Sequence, residues 1–150
     1  MVLDARLRAV ADLVPPGCRA ADIGSDHAYL AMDLWQTGQV SYVIAADKHA
    51  GPCSAAWRTL LAADLASAIP VRQGDGLSVL APGEVETVCI AGMGGALIAA
   101  ILAAAPAVLG SMRRLVLQPM NDAPLLRRWL YAHDWHLAAE RLAEVEGHLY

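Results

Sequence analysis

The stretch Ala20-Ala21-Asp22-Ile23-Gly24-Ser25-Asp26-His27 decides how the rest of the chain is read. Ala20 to Ile23 predicts a short buried strand, since a strand covered on both faces is apolar at successive positions rather than alternate ones. Gly24-Ser25-Asp26 then turns the chain, and Asp26 is placed to cap a helix running to about Thr37, which Gly38 ends. Upstream, Leu3, Leu7, Val10 and Val14 recur at helical spacing until Pro15-Pro16-Gly17 stops them. The sequence therefore opens with helix, strand, glycine turn, helix.

Downstream the strand–turn–helix unit repeats. Tyr42 to Ala46 predicts a second strand ending in Asp47, and Gly51-Pro52 opens a helix to about Ala66, with proline at a permitted first-turn position. Val71 to Gln73 is a third strand, closed by Gly74-Asp75-Gly76, with a short helix from Leu77 to Leu80. Thr87 to Ala91 is a fourth, followed by Gly92-Met93-Gly94-Gly95 and a helix to about Ala105. Leu115 to Gln118 is a fifth, broken by Pro119, with a helix from Leu125 to Ala132. Trp135 to Val145 is expected to be a sixth. Strands alternating with helices predict an α/β fold, doubly wound around a mostly parallel sheet.

Composition agrees with a single globular domain over residues 1–150. Hydrophobic residues make up 57% and charged residues 17%, which excludes a disordered chain. The longest apolar run, Ala96 to Leu109, is broken by Pro106 and falls short of the roughly 20 residues of a membrane span. No basic start precedes an apolar core, so no signal peptide is expected. The 3 cysteines, Cys18, Cys53 and Cys89, are widely spaced and odd in number. They form neither a metal pair nor a disulfide frame, and point to a reducing cytoplasm. A net charge of −4 argues against a dedicated nucleic-acid coat protein.

In sheets of this class, ligands bind beyond the carboxyl ends of the strands. All of the predicted strands up to the fifth end in glycine or polar residues, so a site is expected at that edge. A dinucleotide would want G-x-G-x-x-G in the first turn, but only Gly24 is present and Asp26 adds a carboxylate. That carboxylate repels a pyrophosphate and suits a cationic ligand. S-adenosylmethionine fits, with a sulfonium, an ammonium, a ribose and an adenine but no phosphate. Asp22 and Asp26 would face the ammonium, Asp47 the ribose hydroxyls and Asp75 the adenine amino group. His133 and His136 have H-x-x-H spacing, yet zinc needs further ligands, and no metal is expected. Trp129 beside Arg127–Arg128 reads better as a packed helix than as a base-stacking site.

At these motifs the sequence resembles the bacterial tRNA (adenine-22-N1)-methyltransferases. The resemblance is carried by Ala21 to Leu30, Val71 to Leu77, Ile90 to Gly95, Leu115 to Pro119 and Gly51-Pro52. It implies a Rossmann-like methyltransferase domain joined to a C-terminal helical, coiled-coil domain, acting on N1 of an adenine in tRNA. Asp22, Gly24, Ser25, Asp26 and His27 would line the methionine side of S-adenosylmethionine, and Asp47 would hold the ribose. Asp75 and Gly76 would frame the adenine, while Ala91, Gly92, Met93 and Gly94 would form the floor where the target base enters. Ala31 departs from a common proline, and Met120 stands where asparagine is expected, with Asn121 next. The sheet is expected to be truncated before its last strand, which would begin near His148-Leu149-Tyr150, without the coiled-coil domain. The tRNA grip of such a chain would be weak. The alternatives are a small-molecule methyltransferase using the same cofactor and a cofactor-binding fragment without catalysis.

Methyl transfer to a neutral ring nitrogen is an in-line displacement and needs no base to remove a proton. Alignment carries most of it, so no nucleophile is expected. The adenine must be unpaired or flipped out, because N1 lies on the pairing edge.

Overall fold

Asp4 starts the first helix, α1 (Ala5–Asp12), where its carboxylate accepts from the Leu7 N–H at 2.8 Å and satisfies an amide that a helix start leaves free. The computed structural model describes residues 1–150. The sheet strands are β1 (Arg19–Ile23), β2 (Tyr42–Asp47), β3 (Val71–Gln73), β4 (Thr87–Met93) and β5 (Arg114–Pro119). Between and after them lie α2 (Tyr29–Gln36), α3 (Ala50–Ala62), a 3-10 turn (Gly76–Val79), α4 (Gly95–Ala103), α5 (Pro106–Leu109) and α6 (Ala123–Ala132). Every pairing in the sheet is parallel, and the order is β3-β2-β1-β4-β5. The expected doubly wound α/β architecture is the one formed.

The pleat sorts the side chains into two cores. Ala20, Val43, Ala45 and Cys89 face α1, α2 and α3, where they meet Val10, Leu34 and Leu60. Ala21, Ile44, Val88 and Ile90 face the other way, against Ile98, Leu102, Val108 and Leu126. Small alanines in β1 and β2 let the helices come close without Phe, which the chain lacks. The chain runs outward from β1 to β3, then returns to the other side of β1 as β4. That reversal opens a crevice beyond the ends of β1 and β4, the position where open α/β sheets bind ligands.

Three local expectations are corrected. Asp26 does not cap α2: it and Ala28 are both left-handed (φ 53° and 61°), and the helix starts only at Tyr29 with no side-chain cap. The turn runs on through Ala28 before the helix begins, and the Asp26 side chain lines the crevice. The helix expected to reach Ala105 ends at Ala103, and Pro106 restarts a short turn, α5. Trp135 to Val145 is not a strand: only Glu144–Val145 (β6) pairs, and it pairs with His148–Leu149 (β7) in a separate hairpin rather than with β5. Residues 136–142 are exposed and, with no ladder beside them, have no partners for their backbone groups.

Candidate active site

The first turn is held from beneath by β2. The N–H groups of Gly24 and Ser25 both donate to the Ala46 carbonyl, at 2.8 and 2.9 Å. Gly24 has φ 76°, and a Cβ there would stand 2.3 Å from Met93 Cε. The turn therefore needs glycine for its left-handed backbone, while the Met93 tip is a flexible neighbour that can move. Asp22 lies just below, only 5% exposed. Burial pushes its carboxyl up to about 6; the nearby Ser25 hydroxyl offsets part of that rise, and the Asp47 charge adds to it. The contact with Ser25 is loose, because Ser25 Oγ is buried and completes no hydrogen bond of normal geometry. His27 stacks on Tyr29 at the mouth, with ring centroids 5.2 Å apart.

The second and third turns add two carboxylates. Asp47 ends β2, and its Oδ1 accepts from the His49 N–H at 3.0 Å. Its backbone carbonyl accepts from the Gly74 N–H at 3.0 Å, which ties the third turn to the second. Asp75 is exposed and lies 3.8 Å from Lys48 Nζ. Gly76 has φ 55°, with Ile101 packed 3.0 Å from the position of its absent Cβ.

The fourth turn is a β-bulge. Ala91 pairs with Gln118 and Met93 with Pro119, so Gly92 has no partner in the β4–β5 ladder. Such bulges re-aim a strand beside a site. Gly92 has φ 81°, and its N–H donates to Gln118 Oε1 at 3.0 Å. The same oxygen accepts from Arg6 Nη1 at 2.8 Å. The carboxamide nitrogen turns away, toward the Pro119 carbonyl at 3.1 Å and Met120 Sδ at 3.5 Å. A bidentate ion pair from Arg8 to the buried Asp33, at 2.8 and 3.0 Å, holds α1 against α2 and so sets where Arg6 can reach.

These turns enclose a cleft of about 690 Å³, within the usual range for a small-molecule site. Asp22, Gly24, Ser25, Asp26 and His27 line it, as do Asp47, Asp75 and Gly76, and Ala91, Gly92 and Met93 close the fourth side. Gly94 does not: it precedes α4, and a Cβ on it would meet Asn121 Oδ1 at 2.7 Å, on the side of the β5–α6 turn. Arg6, Lys48 and Tyr29 also line the cleft, and sequence reasoning missed Arg6. Its place on an amphipathic helix gives no signal; only the packing of α1 over the bulge brings it there.

Other candidates fall elsewhere. His133 Nδ1 lies 2.7 Å from the Trp129 carbonyl and the two rings stack, so the pair is a helix-end contact. No group of three or more His, Cys, Asp or Glu residues is arranged to hold a metal. Arg127 pairs with Glu140. Arg113 and Arg114 line a larger, more apolar groove of about 770 Å³ along β5 and α6, away from the β1–β3 turns. No helix is long and apolar enough to cross a membrane.

Residues 3–150 match the methyltransferase domain family. The chain is 45% identical over 148 residues to the tRNA (adenine(22)-N(1))-methyltransferase of Bacillus subtilis, covering 99% of itself and 62% of that protein. It superposes on the crystal structure of the B. subtilis m1A22 tRNA methyltransferase with a TM-score of 0.94 at 44% identity, covering 99% of itself and 64% of that chain. It also superposes on Streptococcus pneumoniae Sp1610 in complex with S-adenosyl-L-methionine, with a TM-score of 0.96 at 39% identity, covering 99% of itself and 70% of that chain. The chain thus spans about three-fifths of the curated relative's length. With the family model matched over residues 3–150 and the similarity to these structures running along nearly its whole length, the chain belongs to the methyltransferase domain family.

Proposed function

We propose that this chain is the S-adenosylmethionine-binding and transfer domain of an enzyme that methylates N1 of an adenine in tRNA, acting in the cytoplasm where that acceptor is found. The observation that carries this is how the cleft sorts charge. Asp22, Asp26, Asp47 and Asp75 all sit at the ends of β1, β2 and β3, while the lining from β4 holds no carboxylate. The first half attracts a cationic ligand with hydroxyls and an amino group, and the second leaves a neutral floor for an uncharged base.

The residues present fit the cofactor. Ser25 Oγ is buried without a partner, so a ligand acceptor or donor there relieves an unmet polar group. Gly24 keeps the first turn free of a side chain. Asp22 and Asp26 are placed for the ammonium, and Asp47 for the ribose, with one oxygen already fixed by His49. Asp75 and Gly76 frame the adenine end. When bound, the cofactor supplies an electrophilic methyl group on a sulfonium. The bulge at Gly92 presents bare backbone to the acceptor, and Gln118 holds that backbone in place. These residues align the acceptor rather than move a proton, since a neutral ring nitrogen has none to lose at the attacking atom.

Calorimetry with S-adenosylhomocysteine and NAD, followed by mass spectrometry of tRNA nucleosides after incubation with S-adenosylmethionine, tests the proposal. Homocysteine-nucleoside binding with appearance of 1-methyladenosine supports it. Tighter NAD binding overturns the cofactor assignment. Binding without transfer to any acceptor leaves only a cofactor-binding fragment.

A further inference from the structure

Four carboxylates crowd one half of the cleft, yet one permanent cation stands over the other half without an acid beside it. Lys48 lies against Asp75, while Arg8, Arg72, Arg127 and Arg141 each have a carboxylate partner. Arg6 has none within ion-pair distance, although it lines the cleft. One of its five N–H groups goes to Gln118 Oε1. A Cβ on Gly92 would sit 3.5 Å from Arg6 Nη1, so the guanidinium stands beside the bulge that floors the acceptor side. Gln118 is buried and both of its polar ends are engaged, so it fixes one edge of the guanidinium and leaves the others directed away from it.

We propose that Arg6 is a nucleotide-phosphate contact: it anchors the backbone phosphate next to the acceptor base while that base lies over Gly92. The proposal rests on the reading of an RNA acceptor. It follows from charge. An RNA strand approaching this cleft meets the repulsion of Asp22, Asp26, Asp47 and Asp75, and only a cation on the acceptor side draws it to the β4–β5 half. A planar guanidinium with free N–H groups suits a phosphate. The rigid tether through Gln118 keeps the anchor at a fixed distance from the floor, so Arg6 both attracts the strand and sets its register.

Fluorescence anisotropy with a short, unstructured adenine-containing RNA, titrated into the S-adenosylhomocysteine-loaded chain over a potassium chloride series, tests this. Arg6→Gln is expected to weaken RNA binding roughly threefold to tenfold at low salt and to flatten the slope of log K against log salt by about 0.7, one phosphate's share for a single strand. Its affinity for S-adenosylhomocysteine should stay within about twofold of the parent, as the cofactor half is untouched. Arg6→Lys should keep the slope while losing part of the affinity. Gln118→Ala should keep the slope too, because it removes the tether and not the charge; melts of each variant establish that it is folded. A parental chain that binds RNA with the same affinity and slope as Arg6→Gln overturns the phosphate contact alone. Equal loss of cofactor and RNA affinity makes Arg6 a structural residue and also overturns it. A parental chain that binds no RNA at any salt overturns the RNA-acceptor reading and the contact together.

Discussion

Asp22 carries two opposed demands. Burial raises its carboxyl from the ordinary range to about 6 in the folded chain, so between roughly pH 4 and 6 the folded state holds a proton that the unfolded state has lost. Asp22's contribution to stability therefore falls as pH rises through that window, and the full penalty of the buried charge is present above it. Asp22→Asn is expected to remove this contribution to the pH dependence and to stabilise the free chain at pH 7.5 by on the order of 3 kcal/mol, since the carboxyl moves from 3.8 to about 6 and one pKa unit corresponds to about 1.4 kcal/mol. Urea melts at pH 4.5 and 7.5 measure this; equal stability of the two proteins at both values contradicts it. Affinity for S-adenosylhomocysteine should move the other way. It should rise between pH 5 and 7.5 in the parent, where the carboxylate forms, and be weaker and flatter in Asp22→Asn. Asp75 poses a simpler question. It is exposed and only loosely paired with Lys48, so Asp75→Ala should leave the melting temperature unchanged. It should weaken cofactor binding by up to roughly tenfold, the value of one hydrogen bond of about 0.5–1.5 kcal/mol. Unchanged affinity by calorimetry makes Asp75 a turn residue and nothing more.

At the level of elements, the Gly94-Gly95 pair shows how α4 is docked. The Gly95 N–H donates to the Asn121 carbonyl at 2.9 Å, and a Cβ on Gly95 would lie 2.4 Å from the Asp122 carbonyl oxygen. That obstacle is backbone and cannot swing aside. A Cβ on Gly94 would instead meet the end of the Asn121 side chain, which can rotate. Gly95→Ala should destabilise the chain by about 1–3 kcal/mol, the usual cost of overpacking, and Gly94→Ala by clearly less. Paired thermal melts decide it, and equal effects would mean that α4 shifts as a unit to absorb either methyl group. The turn at the end of β4 obeys a related rule. Its bulge is held by Gln118, which accepts from the Gly92 N–H that the ladder drops.

For the whole molecule, the order β3-β2-β1-β4-β5 leaves β5 with a strand on one side only. The terminal hairpin β6–β7 pairs with itself and not with β5. An edge of this kind invites pairing with another chain, and apolar side chains such as Leu115 and Leu117 on β5 remain partly accessible. The 150-residue chain should therefore show concentration-dependent association in light scattering. A constant monomer mass across the range tested would show that the C-terminal segment covers the edge well enough.

The sequence by itself determined the alternation of strands and helices, the carboxylates at the ends of β1, β2 and β3 and the lone glycine of the first turn. These are legible because they depend on local backbone chemistry: short apolar runs, glycines and prolines report the strands and turns wherever the chain later goes. What stayed hidden depends on distant partners. Asp26 reads both as a helix cap and as a site carboxylate, and only the left-handed backbone at Asp26 and Ala28 decides against the cap. Trp135 to Val145 reads as a strand, yet a strand exists only where a neighbour accepts its hydrogen bonds, and none lies beside it. Arg6 and Gln118 are 112 positions apart, and nothing local to either marks them as partners. Their meeting over Gly92 was decided by the tertiary structure, because it takes the packing of α1 across the sheet and the one-residue bulge in β4 to bring a helix arginine, a strand carboxamide and an unpaired amide to the same point.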